Sequence, residues 1–173
     1  LTNVHPLLKS PIIGSPMDTV ISPASCIILD QIGGFGVLHR YCKIEEEVRD
    51  YVSVSNSTTS QLRPMANIMA AVGATGDYFE RAQALYDAGC RAFCVDVAHG
   101  HHASVKSAIE SLKKKFNDVH LMTGNVATLE AFNDLADWGS DSIRVGIGGG
   151  SMCSTRIRTG HGIPTLQDRK STR

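Results

Sequence analysis

The chain of 173 residues has no apolar run approaching the roughly 20 residues that a membrane-spanning helix needs, so no membrane partner is expected. It has no excess of either charge, with 17 basic residues against 17 acidic ones. That excludes the basic stripe of a nucleic-acid binder and any long acidic tail, leaving a small molecule as the expected ligand. The opening LTNVHP lacks the basic segment and apolar stretch of a secretory signal. It also lacks an initiator Met, which suggests a piece of a longer chain. Cysteines are few and odd in number, five, at 26, 42, 90, 94 and 153. The first four lie in or beside apolar segments, where a free Cys behaves as a small hydrophobe. A reduced, cytoplasmic setting therefore fits better than a disulfide scaffold.

From residue 64 onward, apolar strands and amphipathic helices alternate. Residues 65–72 read as a strand. Asp77-Tyr-Phe-Glu80 has capping-box spacing and opens a helix with Phe79, Ala82, Leu85 and Tyr86 apolar, stopped by Gly89. Residues 92–97 are a continuous apolar strand. Val105, Ala108, Ile109, Leu112 and Phe116 recur at helical spacing, and 119–122 is the next strand. Thr128 caps a helix to Trp138 with Leu129, Phe132, Leu135 and Ala136 inward, and 143–147 is the strand feeding the glycines. DAGCRAFCV at 87–95 and DWGSDSIRV at 137–145 repeat one frame: helix end, glycine stop, buried strand.

Earlier in the chain, 11–15 and 35–39 are short strands. Ser22 caps a helix with Pro23 at its first position, and Gly33-Gly34 closes it. Residues 44–52 form a helix, and SVSNSTTSQ at 53–61 a polar loop. Six buried strands separated by helices imply a parallel sheet in an α/β protein. The unusual residues, Ser15, His39, Asp96, Asn125 and the loop after Ile147, fall at the carboxyl ends of several strands. That favours a (β/α)8 TIM barrel, here incomplete with about six βα units, over a doubly wound sheet with a single crevice.

The run RVGIGGGSMCST at 144–155 is the strongest local signal. It is not a dinucleotide fingerprint, since counting from Gly146 puts Ser151 at the third glycine, and counting from Gly148 puts Cys153 there. It is not a P-loop either, because no Lys-Ser/Thr follows. Consecutive glycines still let backbone approach a ligand, with amides for a phosphate or carbonyls for a monovalent cation. A plain flexible turn is the alternative. Cys153 stands among Ser151, Ser154, Thr155 and Arg156, surroundings that favour a thiolate, although a lone loop cysteine is more often inert. Asp96 closes a strand, where a carboxylate can grip a ribose diol and repel a 2′-phosphate, or simply cap a helix. The cluster Asp96, His99, His101, His102 has no second group at metal-site spacing.

SPMDTV at 15–20, GGFGVLHR at 33–40, VDVAHGH at 95–101, GNVAT at 124–128 and VGIGGGSMCSTR at 145–156 together resemble the inosine-5′-monophosphate (IMP) dehydrogenase family, in its order and spacing. The resemblance runs from residue 7 to 167 and implies a TIM barrel that oxidises IMP to xanthosine monophosphate (XMP) with NAD+, in guanine nucleotide biosynthesis. It implies Cys153 as the nucleophile at C2 of the purine and Thr155 as a positioner of water or purine. Ser15 and Ser151 contact the nucleotide, and Met17 packs on the base. Asp96, Asn125, Arg144, Gly146, Ile147 and Gly148 line the dinucleotide side. It further implies K+ held by the carbonyls of Gly148, Gly150 and Cys153, and a homotetramer.

The chain departs from that family in several places. Pro often stands where Gly149 is. Residues 53–63 have no room for the usual inserted pair of regulatory CBS modules, so 1–173 reads as one partial catalytic barrel domain. Strands seven and eight and the flap with the water-activating Arg are absent. The sister guanosine-5′-monophosphate (GMP) reductase, which converts GMP to IMP with NADPH, is the nearest alternative. It usually has Asn where Pro16 stands and Asn-Gly at His99-Gly100. A catalytically incomplete nucleotide-binding remnant is the third reading.

Overall fold

The computed structural model describes residues 10–58, 67–150 and 153–164. In chain order they form β1 (Ile13–Gly14), α1 (Pro23–Gln31), β2 (Phe35–Leu38), α2 (Ile44–Thr58), β3 (Ile68–Val72) and α3 (Tyr78–Asp87). There follow β4 (Ala92–Asp96), α4 (Ala103–Lys115), β5 (His120–Val126), α5 (Leu129–Asp137), β6 (Ser142–Val145) and α6 (Thr155–Thr159). The strand order in the sheet is β1-β2-β3-β4-β5-β6. The pairs β1–β2, β2–β3 and β5–β6 are parallel, with Ile13 opposite Phe35, Val37 opposite Met69 and Thr123 opposite Ile143. Parallel strands in chain order, each followed by a helix, are the (β/α)8 arrangement, of which this chain supplies six units. Among the described residues no helix is long and apolar enough to cross a membrane.

The chain divides into two compact units, 1–72 with 77–94, and 73–76 with 95–173. In the first, Ser22 and Ser25 cap α1 reciprocally: Ser22 Oγ accepts from the Ser25 amide at 3.3 Å and Ser25 Oγ from the Ser22 amide at 2.7 Å. Pro23 opens the helix as expected. Cys26 seats α1 on β2, and a Cβ at Gly36 would lie 2.5 Å from its sulfur, so only glycine fits there. Every residue of β2 and β3 is buried, as central parallel strands require.

Two local expectations fail in this unit. The helix α2 continues to Thr58 through the polar stretch read as a loop. Ser57 and Thr58 hydroxyls donate back to the Ser53 and Val54 carbonyls, each at 2.8 Å, and the fully buried Val54 anchors the turn. At α3, Asp77 sits at the cap position but makes no side-chain cap bond. Its Oδ2 accepts from Arg81 Nη2 at 2.8 Å, and Arg81 Nη1 donates to Glu47 Oε2 at 2.6 Å. A charge-assisted bond to guanidinium outcompetes the neutral amide that a capping box offers.

In the second unit, α4 buries Val105, Ala108, Ile109 and Leu112, the face read from the sequence, with Phe116 buried at its end. His102 caps α4, its Nδ1 accepting from the Ser104 amide at 3.2 Å. Thr128 caps α5 by accepting from the Ala131 amide at 3.2 Å. That helix buries Ala131 and Leu135, whereas Leu129 and Ala136 are exposed, against expectation. At 100° per residue, Leu129 lies about 200° from Ala131 and so faces away.

Candidate active site

The site is assembled at the carboxyl ends of strands in the second unit. Past β4, Val97 N–H donates to the Gly124 carbonyl at 3.0 Å and Asn125 N–H to the Val97 carbonyl at 3.0 Å. The loop then folds down as Gly100 N–H donates to the Asn125 carbonyl at 2.7 Å. Strand β6 approaches β5 so closely at Gly124 that a Cβ there would lie 2.7 Å from both the Cβ and the carbonyl oxygen of Arg144. This contact fixes Arg144, whose Nη1 bonds Asp96 Oδ1. The pair is half-buried, 22% and 17% exposed at the side chains.

Asn125 Nδ2 donates to the Gly146 carbonyl at 2.7 Å, and Gly146 N–H donates to the Val126 carbonyl at 2.8 Å. Asn125 therefore holds the start of the glycine loop. Gly146 and Gly148 adopt φ of 115° and 70°, conformations that favour glycine. Ile147 points into the core, 7% exposed, so its backbone alone remains at the site, and its carbonyl accepts from Ile163 N–H at 3.0 Å.

Cys153 Sγ lies 3.3 Å from Thr155 Oγ1. Hydrogen bonding from the Thr155 hydroxyl, then from its backbone amide, and the nearby Arg156 charge hold the thiol below its ordinary range. The contrast with the core cysteines is large. Burial pushes Cys26 and Cys90 up to about 12. All five cysteines are free thiols, and Cys153 is the half-buried one on the glycine loop.

The structure thus brings Asp96, Asn125, Arg144, Gly146, Gly148, Gly150, Cys153 and Thr155 into one unit. Ser15 and Met17 belong to the other unit, in the turn after β1, where Met17 N–H donates to the Ser15 carbonyl at 2.8 Å and the Met17 side chain is 49% exposed. Ser151 lies outside the described residues. The histidines after β4 each have work of their own: His99 stacks on His161 with centroids 4.7 Å apart, His101 bonds Asp134 at 2.7 Å, and His102 caps α4. Burial, then His161, lowers the His99 pKa. Sequence reading missed His161, which lies outside every quoted motif, and gave Arg156 only a charge. The signal for Arg156 was the pair Gly148 and Gly162, between which its side chain passes.

Residues 2–168 match the IMP dehydrogenase / GMP reductase domain model. An inosine-5′-monophosphate dehydrogenase of Nitrosopumilus maritimus is 42% identical over 117 residues, covering 68% of this chain and 24% of that protein. One from Streptococcus pyogenes is 47% identical over 99 residues, 57% of this chain and 20% of that protein. The crystal structure of inosine 5′ monophosphate dehydrogenase from Legionella pneumophila superposes with a TM-score of 0.82 at 38% identity, over 95% of this chain and 48% of that one. This chain spans less than half the length of each of these relatives. With its six parallel βα units and its glycine loop leading into Cys153, the chain belongs to the IMP dehydrogenase / GMP reductase domain family.

Proposed function

We propose that this chain is part of the catalytic barrel of an IMP dehydrogenase, oxidising IMP to XMP through a covalent bond at Cys153. The observation that supports it best is the Cys153–Thr155 pair, a thiol with lowered pKa on a loop that leaves the strand bearing Arg144. The Cys153 thiolate adds to C2 of the purine, and the hydrogen at C2 departs as hydride. NAD+, when bound, supplies the acceptor for that hydride. Water then attacks C2 of the resulting thioimidate, the sulfur leaves as thiolate, and XMP is released with one proton. A low thiol pKa serves both the attack and the departure.

Ser15 and Ser151 are assigned to the nucleotide, Met17 to the base, and Thr155 to the water or purine. The dinucleotide fits the Asp96–Arg144 pair, which offers an acceptor and a donor at the strand ends, with Asn125, Gly146, Ile147 and Gly148 forming the wall. The ion pair corrects one expectation from sequence. Arg144 neutralises Asp96, so discrimination against a 2′-phosphate cannot rest on an unpaired carboxylate there. Potassium does not fit as the resemblance implies, because the Gly150 carbonyl already accepts two hydrogen bonds. No step is assigned to it.

Residues 1–173 are taken as one partial catalytic domain with no CBS insertion in 53–63, in a cytoplasmic parent that assembles as a homotetramer. The test is NADH formation from IMP and NAD+ by the full chain, with Cys153→Ala beside it. The variant should lose all but a few per cent of turnover and still bind IMP in calorimetry. Retained turnover would sink the assignment of Cys153. Faster conversion of GMP with NADPH would make the protein a reductase, and nucleotide binding without turnover would leave the remnant reading.

A further inference from the structure

The carbonyl oxygen of Gly150 accepts from the Cys153 amide at 3.1 Å and from Arg156 Nη2 at 3.2 Å. A carbonyl has two lone pairs, so both are taken. The Arg156 stem reaches that position through a gap between two glycines. A Cβ at Gly148 would lie 2.6 Å from Arg156 Cγ, and one at Gly162 would lie 2.4 Å from it. Gly148 needs glycine for its backbone as well, with φ of 70°, but Gly162 does not have a positive φ. Its missing side chain is explained by the room Arg156 occupies. The same segment is closed by Ile163 N–H on the Ile147 carbonyl and by His161 on His99.

We infer that Arg156 is the resident cation of the glycine loop, its guanidinium holding the Gly150 carbonyl that a monovalent metal ion would otherwise need. A guanidinium is a single positive charge, more weakly hydrated than an ammonium and fixed in a planar fork, and it suits an exposed carbonyl. Its bond there is charge-assisted and stronger than a neutral one. Being tethered six positions along the chain, it acts at a high effective concentration, and no ion has to be recruited from solution. Glycines left to themselves lose the most freedom on ordering, so a built-in clamp has most value in such a loop. The Gly150 carbonyl is therefore held equally in any monovalent salt.

The test needs no turnover, so its result is independent of the reaction proposed above. Amide hydrogen exchange is followed in the full chain for peptides covering 146–157, in KCl, NaCl and LiCl at equal ionic strength, with a β3 peptide as reference. The wild-type loop should exchange at the same rate in all three salts, within about twofold. Arg156→Met, which keeps the stem and removes the charge, should exchange about tenfold faster in LiCl and be slowed by KCl. Gly162→Ala should act likewise by filling the gap, without backbone strain. A wild-type loop slowed severalfold by K+ relative to Li+ would overturn the inference. So would variants whose loops do not respond to K+, whether loosened or not. The wild-type measurement decides on its own if a variant fails to fold.

Discussion

In the first unit Arg81 meets Glu47 with side chains 5% and 1% exposed, and in the second Arg144 meets Asp96 with 22% and 17% exposed. The residue types are alike, one arginine and one acidic side chain, but the placement differs. Arg81 and Glu47 stand on helices α3 and α2, and Arg81 also donates to the Cys42 carbonyl at 2.9 Å and to Asp77. Glu47 Oε1 and Arg81 Nε are buried with no hydrogen-bond partner among the described residues. Arg144 and Asp96 stand near the carboxyl ends of strands and keep 22% and 17% of their side chains exposed. A sealed pair can hold only its own two helices. An open pair at strand ends can exchange its partner for a substrate. Burial and position, rather than residue type, separate this structural pair from the pair proposed for the dinucleotide.

The sharpest way to break this comparison is to remove each arginine in turn. Arg81→Met leaves the buried Glu47 carboxyl and the Cys42 carbonyl without their donor and should destabilise the chain by about 3 kcal/mol, the lower end for a broken buried pair because burial already favours a proton on Glu47. Arg144→Met leaves Asp96 partly hydrated, 17% exposed, and should cost less, about 1–2 kcal/mol, between the surface and buried cases. Urea unfolding with an unchanged m-value measures both. Equal losses would place the two pairs in one class.

The same contrast governs what was legible in the sequence. The order of strands and helices and the caps at Ser22 and Thr128 are legible in local spacing, because period and capping act over a few residues, whereas the ends of α2, β5 and β6 are not. Polar contacts between segments far apart in sequence were not legible. Nothing near Arg81 announces Glu47, 34 positions earlier, and nothing near Asp96 announces Arg144, 48 positions later. The misreading of 53–58 has the same origin. Ser and Thr favour turns on propensity, and burial of Val54 in tertiary packing overrides it. Cys153 could be singled out by its neighbours, whereas the hold of Arg156 on the Gly150 carbonyl required the loop in three dimensions.

A second measurement sharpens the comparison through function. Asp96→Asn should raise the apparent KM for NAD+ about tenfold at saturating IMP, equivalent to about 1.4 kcal/mol. Glu47→Gln should leave that KM unchanged, since Glu47 is 1% exposed and offers no face to a ligand. Initial rates of NADH formation distinguish them. An unchanged KM in Asp96→Asn would remove the open pair from the dinucleotide site.

The smallest effect concerns the proton on Glu47. Burial pushes its carboxyl up from 4.5 to about 8, although the hydrogen bond and charge of Arg81 pull it down. Between those two values the folded chain keeps a proton that the unfolded chain has released. Stability therefore falls as pH rises: the contribution of the protonated carboxyl is complete below about 4.5 and is lost as pH climbs through about 8. Glu47→Gln cannot titrate, so its stability relative to wild type should improve as pH is raised across that window. The expected gain is on the order of 1 kcal/mol, since interior charges are screened as though the dielectric were near 20 rather than 4. Urea unfolding of both proteins at the two ends of the window reads it out. A stability difference that stays flat with pH would mean that Glu47 is ionised throughout, and that the sealed pair carries the same charges as the open one.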